Sequence, residues 1–157
     1  MSTTKDEVRW LDAEQQRHWR AFRDGVVLLF DTLAHDLESR TGLSLHEYEV
    51  MVRLSESPDR TLRMSQLASD LAHSRSRLTH TIARMEEAGL VARVACVSDA
   101  RGVNCTLTEA GWERLVEAAP SHVASVRERL VDVLSDEQLA ALGDAMDTVL
   151  THLRAGH

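Results

Sequence analysis

Apolar residues recur at steps of three and four near both ends of the chain, which is the spacing of one helix face. The first stripe predicts a long helix from about residue 12 to residue 40, ended by Gly42. Two C-terminal stripes predict a helix that begins after the capping residue Thr108, with a kink or break at Pro120, and a last helix capped by Ser135. The three stripes are Trp19, Phe22, Val26, Leu29, Leu33 and Leu37; Leu115, Ala119, Val123, Val126, Leu130 and Val133; and Leu139, Leu142, Met146, Val149 and Leu153.

Shorter patterns between these ends predict three more helices and a β-hairpin. Their boundaries are marked by residues that cap helices or form turns. In chain order the predicted elements are a helix with a capping box of Ser44 and Glu47, a short strand at 61–63, a helix capped by Ser65, a tight turn at His73 and Ser74, a helix over about 75–87 ended by Gly89, and strands at 91–97 and 103–107. The sequence therefore predicts a mainly α-helical fold with one small hairpin.

The helix predicted over residues 75–87 has a face of arginines and small polar residues. With Leu78, Ile82 and Met85 placed toward the core, the opposite face contains no acidic residue between Arg75 and Arg84. Such a face suits DNA phosphates and guanine edges in a major groove. The alternative is a solvated face whose arginines pair with Asp70 or Glu86. The predicted DNA-contacting residues of this helix are Ser74, Arg75, Ser76, Arg77, Thr79, His80 and Arg84, with Ser76 and His80 nearest to base edges.

The predicted hairpin ends in the sequence Ser98-Asp99-Ala100-Arg101-Gly102. A minor groove has a strong negative potential and accommodates an inserted arginine. We therefore expect Arg101 in the minor groove, with Asp99 as its orienting partner. The alternative is an ordinary Asx turn with a surface ion pair. A helix-turn-helix followed by such a hairpin is a winged helix-turn-helix.

The 157-residue chain has a formal net charge of -7, but the charge is unevenly distributed. Residues 60–107 contain seven arginines and four acidic residues, which is typical of a DNA-contacting part within an acidic body. The polar N-terminus and the shortness of every apolar run favour a soluble, cytoplasmic protein. The sequence has no His-Glu-x-x-His, no Cys-x-x-Cys and no recognisable catalytic pattern, so we expect no enzyme activity, no metal site and no cofactor.

The run LASDLAHSRSRLTHTIARMEEAGLVARVACVSDARGVNCTLTEAG resembles the MarR family of bacterial transcription regulators. The shared features are the LA-x-x-L helix, SRSRLTH, the R-x-E-x-x-G-L-V turn with Met85 in place of the common leucine, the D-x-R-G wing and the L-T-x-x-G helix start. The resemblance implies a homodimer built from the first and last helices, whose two winged domains bind a pseudo-palindromic DNA site. It also implies release of DNA when a small molecule or an oxidant acts near the junction of the two regions.

The apolar stripes of the terminal helices agree with this expectation, because a small winged module cannot fully cover them and a second copy of the chain could. We expect residues 1–43 and 109–157 to form a helical dimerisation region and residues 44–108 to form the DNA-binding region. The alternative is a compact monomeric bundle.

The resemblance also implies a pocket for a small-molecule effector between the first, second and fifth helices. Residues predicted near that place are candidates for binding the effector. An aromatic slot with an arginine would suit an aromatic carboxylate or a phenol. The alternative is that Trp19 and Tyr48 belong to the core and that the arginines are solvated. The candidates are Trp10, Trp19, Arg20, Arg23, His46 and Tyr48.

The two cysteines of the chain could give the wing a redox role. If the hairpin turns around residues 99–102, Cys96 and Cys105 lie opposite each other, and their oxidation would distort the wing. We favour the alternative that both are small apolar residues. A regulator without an effector, a redox-responsive regulator, and a winged domain that docks on protein are the other functions to be weighed.

Overall fold

The computed structural model describes residues 8–71, 74–99 and 101–156. It is mainly helical with one small antiparallel sheet, which confirms the predicted fold class. His73 and Ala100, named in the predicted turn and wing, lie outside the described residues. The elements are α1 (Ala13–Thr41), α2 (Leu45–Ser55), a 3-10 turn (Pro58–Arg60), β1 (Thr61–Arg63), α3 (Met64–Asp70), α4 (Arg75–Glu87), β2 (Val91–Ala95), β3 (Val103–Leu107), α5 (Glu109–Val126), a π-helical turn (Arg127–Val131) and α6 (Asp136–Ala155).

Most helix ends lie where the capping residues predict. The Ser44 hydroxyl oxygen accepts a hydrogen bond from the Glu47 N–H, and the Glu47 carboxylate accepts one from the Ser44 N–H. Gly42 ends α1 with a left-handed φ of 76°, a conformation that glycine adopts without the steric penalty of a Cβ. Gly89, with a φ of 75°, follows α4 in the same way, and the Leu90 N–H then reaches back to the Met85 carbonyl. These caps are local, which is why the sequence predicts them.

Two predicted helix features are wrong. Ser65 does not cap α3, because β1 continues directly into a helix that begins at Met64, with Arg63 at the N-cap and no side-chain cap. Pro120 does not break α5, which continues to Val126. A proline inside a helix removes one hydrogen-bond donor, and here the flanking turns keep the helix continuous. The irregularity lies further on, in the π-helical turn Arg127–Val131.

The three strands form a sheet in the order β1-β3-β2. β3 therefore lies in the middle and pairs antiparallel with both neighbours. In this register Cys105 lies opposite Arg93, while the Cys96 N–H donates to the Gly102 carbonyl. The predicted cross-strand pairing of Cys96 with Cys105 is wrong, because the hairpin turns closer to Asp99 than a turn centred on residues 99–102 requires.

The core lies between α2, α4, the sheet and the first half of α5. Val50, Met51 and Leu54 of α2 are fully buried there. The start of α5 approaches the segment between α4 and β2 so closely that a Cβ on Gly111 would lie 2.1 Å from the Leu90 carbonyl oxygen. Glycine is therefore required where α5 crosses the hairpin. The core cluster comprises Leu37, Leu43, Tyr48, Val50, Met51, Leu54, Leu67, Ala68, Leu78, Ile82, Met85, Val91, Cys105, Leu107, Leu115 and Ala118.

A buried carboxylate joins α1 to the end of α5. Asp36 accepts hydrogen bonds from the Ser125 hydroxyl at 2.5 Å and from Arg129 Nε at 3.3 Å. The Ser125 hydrogen bond and then Arg129 lower the pKa of Asp36. Arg114 of α5 also donates to the Thr41 carbonyl at the end of α1. These polar contacts add to the apolar packing of α1 on α5.

Large apolar faces of the terminal helices remain uncovered within one chain. None of the residues of α6, all of which the structure describes, is buried. On α1, Trp19 is 50% exposed, so its predicted alternative place in the core is wrong, whereas Tyr48 of α2 is buried. Across the described residues, no helix is both long enough and apolar enough to cross a membrane.

Candidate nucleic-acid interface

Helix α4 turns its apolar face inward and its basic face outward. Leu78, Ile82 and Met85 are no more than 1% exposed. Ser74 caps the helix by accepting the Arg77 N–H. The residues predicted to contact DNA are all exposed on the other face: Ser74, Arg75, Ser76, Arg77, Thr79, His80 and Arg84.

The acidic residues named as alternative partners of these arginines are bound elsewhere. Asp70 accepts a hydrogen bond from Gln66 at 2.7 Å. Glu86 accepts from the backbone and the guanidinium of Arg93, at 2.9 and 3.0 Å. The cationic face of α4 is therefore not neutralised by Asp70 or Glu86.

Two other contacts involve this helix. Arg84 has a long ion pair with Glu47 of α2, at 4.0 Å, which leaves its guanidinium half exposed. The Glu86–Arg93 pair joins α4 to β2, and hydrogen bonds from the Arg93 side chain lower the pKa of Glu86. Because this pair links the helix to the first wing strand, it sets the position of the wing relative to the outward face of α4.

The tip of the wing is an Asx turn. Asp99 Oδ1 accepts the Arg101 N–H at 3.0 Å, and the Asp99 carbonyl accepts the Gly102 N–H at 3.0 Å. Asp99 Oδ2 lies 3.2 Å from Nη2 of Arg63, at the end of β1. Asp99 thus pairs with the guanidinium of Arg63 and not with that of Arg101. Its contact with Arg101 is a hydrogen bond from the backbone N–H. Sequence reasoning missed Arg63, which is 36 residues from its partner and lies outside every motif.

Three arginines border a cavity of about 250 Å³ between α4 and the wing. Arg63 comes from β1, Arg75 from the first turn of α4 and Arg101 from the wing tip, and no acidic side chain lines this cavity among the described residues. A cationic recess that joins the helix to the wing has the charge and the position to accept a DNA phosphate. The fold and this surface together define a winged-helix DNA-binding protein.

The two cysteines differ in chemistry. Cys105 is fully buried, and burial raises its pKa to about 12. Cys96 is partly exposed at the base of the wing tip, 3.2 Å from the Ser98 hydroxyl and 3.5 Å from Arg63 Nη2. Hydrogen bonds from Ser98 and then Arg63 lower its pKa to about 7. Cys105 is therefore a core residue, as favoured from the sequence, whereas Cys96 is not an inert apolar residue.

The predicted effector candidates fall into two places. Trp10, Trp19, Arg20 and Arg23 line a depression of about 330 Å³ on α1 and the segment before it. Tyr48 lines a second cavity, of about 380 Å³, where it lies with the His122 ring at a centroid distance of 4.5 Å. His46 is in the first turn of α2. No group of three His, Cys, Asp or Glu within the described ranges has a geometry that would hold a metal ion.

Comparison with known proteins agrees with this geometry. The model of the MarR family matches residues 43–103. The chain resembles AbsC, a MarR family transcriptional regulator from Streptomyces coelicolor, with 44% identity, a TM-score of 0.88, and coverage of 94% of this chain and 99% of that one. Sco3205, a MarR family transcriptional regulator from the same organism solved in complex with DNA, gives 42% identity, a TM-score of 0.89, and coverage of 93% and 92%.

A third relative is the HTH-type transcriptional repressor Rv2887 of Mycobacterium tuberculosis, 33% identical over 65% of this chain and 75% of its own length. The chain belongs to the MarR family. It is a DNA-binding transcriptional regulator and not an enzyme.

Cys96 should react with iodoacetamide in the folded protein while Cys105 does not. Because its pKa is lowered to about 7, the thiolate fraction and the alkylation rate should rise with a midpoint near pH 7. Replacing Arg63 by Gln should move that midpoint upward. The rate at each pH is measured by mass spectrometry of the two cysteine peptides, and a midpoint near 9 in the unsubstituted protein would contradict the assigned contacts.

Proposed function

We propose that the protein is a homodimeric repressor of nearby genes, which acts in the cytoplasm and releases DNA when a small molecule binds. Each copy places α4 in a major groove and Arg101 of the wing in the adjacent minor groove. The observation that carries this proposal is the outward face of α4, which is basic, exposed, and continuous through the three-arginine cavity with the wing. The repressor relative from Mycobacterium tuberculosis and the DNA-bound structure of Sco3205 support it.

The proposed contacts divide by side-chain chemistry. Ser76 and His80, one turn apart on the exposed face, approach base edges, where a hydroxyl and an imidazole donate or accept hydrogen bonds. Arg75, Arg77 and Arg84 neutralise phosphates or reach guanines. Ser74 and Thr79 flank them, and Asp99 shapes the turn that carries Arg101.

The uncovered apolar faces of α1 and α6 support the homodimer. Phe22 and Phe30 on α1 are 37% and 49% exposed, and Val149 and Leu153 on α6 are 45% and 56% exposed. A second copy would bury these side chains and remove them from water, gaining about 25 cal/mol for each Å² of apolar surface. We assign residues 1–43 and 109–157 to this dimerisation region and residues 44–108 to DNA binding. A two-fold axis then presents two α4 helices to successive half-sites.

The depression at Trp10 and Trp19 is the better of the two proposed effector sites for an aromatic carboxylate. Arg20 donates to the neutral amide of Gln16 at 3.2 Å, whereas Arg23 is paired with Asp24 at 2.8 Å. Arg20 is thus the cation placed to bind a carboxylate beside the indole rings. The Tyr48 cavity is bordered by three acidic residues and by one arginine, Arg53, so its negative charge opposes an anionic ligand. The acidic residues are Glu49, Glu56 and Asp70.

DNA binding is tested by fluorescence anisotropy with a fragment from upstream of the protein's own gene. Arg101→Ala should weaken binding about tenfold, and Arg77→Ala should weaken it and reduce the salt slope by about 1. Arg127→Ala, which removes an exposed arginine paired with Asp132 far from α4, is the matched control and should leave affinity unchanged. Transcription in vitro from the same fragment should fall as the protein binds. Unchanged affinity in Arg101→Ala would refute the wing assignment.

The dimer is tested by sedimentation equilibrium of the full chain. The expected mass is twice the 17.6 kDa of one chain. Val149→Glu, which places a charge on the apolar stripe of α6, should shift the mass toward the monomer, while Thr151→Glu on the opposite side of the helix should not. A monomeric unsubstituted protein at micromolar concentration would contradict the proposal.

Effector binding is tested by calorimetric titration with benzoate and phenol, followed by addition of the bound compound to the DNA complex. Benzoate should bind and release DNA, and Arg20→Ala should weaken its binding about tenfold, because a charged hydrogen bond contributes about 1.5 to 3 kcal/mol. Arg17→Ala, which removes an arginine paired with Glu14 outside the depression, is the control. Equal benzoate affinity in the Arg20 and Arg17 variants would remove Arg20 from the site.

A further inference from the structure

We infer that Arg63 is a positioning residue for DNA recognition: it holds Asp99, and through Asp99 it fixes the backbone of Arg101 at the tip of the wing. This inference rests on the proposed function of Arg101. A residue of β1, a three-residue strand outside the helix-turn-helix, would therefore determine where Arg101 meets the minor groove.

A chain of contacts runs from the body of the domain to the wing tip. Arg63 is in register with Asn104 of β3, and its guanidinium extends from there to Asp99 Oδ2, at 3.2 Å. The other oxygen of the same carboxylate accepts the Arg101 N–H at 3.0 Å. One carboxylate therefore connects a side chain of the central sheet to the backbone of the residue proposed to enter DNA.

Among the described residues, few other contacts hold the wing beyond its paired strands. The register of β2 with β3 ends at Ala95 and Val103, and beyond it the Cys96 N–H donates to the Gly102 carbonyl. The described contacts of the tip with the rest of the domain run through Arg63, which lies 3.2 Å from Asp99 and 3.5 Å from Cys96 Sγ. A hairpin tip whose described contacts with the rest of the domain come from one side chain depends on that side chain for its direction.

The absence of a side chain at Gly102 leaves space for the Arg63 guanidinium. A Cβ on Gly102 would lie 3.1 Å from Arg63 Nη2 and 3.2 Å from the Cβ of Cys96. The guanidinium thus packs across the glycine backbone to reach the turn. The glycine of the D-x-R-G wing accordingly has a packing role in addition to its place in the turn.

Arg63 is also exposed enough to contact a phosphate directly, since 44% of its side chain is accessible and it borders the three-arginine cavity. The two roles predict opposite effects of Asp99→Asn. If Arg63 contacts phosphate, removing the carboxylate frees the guanidinium and makes the protein more positive, so DNA binding strengthens. If Arg63 positions the wing, the same substitution breaks the attachment and DNA binding weakens. Asparagine keeps an oxygen that accepts the Arg101 N–H, so the Asx turn survives.

The experiment is a double-mutant cycle measured by anisotropy on the fragment described above, at several salt concentrations. Arg63→Gln and Asp99→Asn should each weaken binding about threefold to fivefold, which corresponds to the upper range of an exposed ion pair. In an Arg101→Ala background neither should weaken binding further, because the contact that they position is already absent. The salt slope of Asp99→Asn should stay close to that of the unsubstituted protein.

Arg60→Gln is the matched control. It removes the same charge three residues away, from a guanidinium that lies over the Trp112 ring at 4.4 Å and pairs with Glu109, without contact to the wing. It should leave DNA affinity unchanged, and urea unfolding of each variant shows that the domain remains folded.

The affinities of these variants test the role of Arg63 separately from the proposed role of Arg101. If Asp99→Asn tightens binding while Arg63→Gln weakens it, Arg63 is a phosphate contact and the inference is overturned. If Arg101→Ala weakens binding but the other two variants match the unsubstituted protein, the wing function stands and the inference alone fails. If Arg101→Ala has no effect, both fail.

Discussion

The burial of one face of α4 is the constraint on which the rest of the structure depends. Leu78, Ile82 and Met85 are almost completely removed from water. Truncating a side chain buried in this way destabilises a protein by about 2 to 5 kcal/mol, so the rotation of the helix about its axis is strongly fixed. Because that face points inward, the arginines and hydroxyls of the opposite face point outward. The recognition surface is therefore a consequence of core packing.

The position of the wing follows from the same helix and from the sheet. Glu86, one residue beyond the buried Met85, holds Arg93 at the start of the hairpin. Arg63, on the other side of the sheet, holds Asp99 at its tip. The hairpin is thus attached at both its base and its tip to elements that the core already fixes. A wing held in this way keeps a defined distance from α4, as the proposed binding to two adjacent grooves requires.

Local signals explain how much of this could be predicted from the sequence. The apolar face of α4, the Ser44–Glu47 capping box and the glycine after α4 depend on residues close together in the chain, and all lie where they are predicted. Helix α1 also lies where its stripe predicts, although Trp19 of that stripe is exposed. Ser65 and Pro120 are local signals that the surrounding elements override, since β1 runs directly into α3 and α5 continues through the proline. The other failures depended on contacts between distant residues. The register of Cys96 and Cys105 is set by where the hairpin turns, which its composition leaves open by a residue or two. The Arg63–Asp99 pair spans 36 residues, and no periodicity marks it.

The most direct test of the central claim is chemical footprinting of the upstream DNA in complex with the unsubstituted protein. Dimethyl sulfate modifies guanine N7 in the major groove, and hydroxyl radicals cleave from the minor groove. Two copies of α4 in successive major grooves should protect guanines at two positions about 10 base pairs apart, with minor-groove protection beside each. Bound DNA whose guanine N7 atoms all remain reactive would show that α4 does not enter the major groove and would contradict the claim.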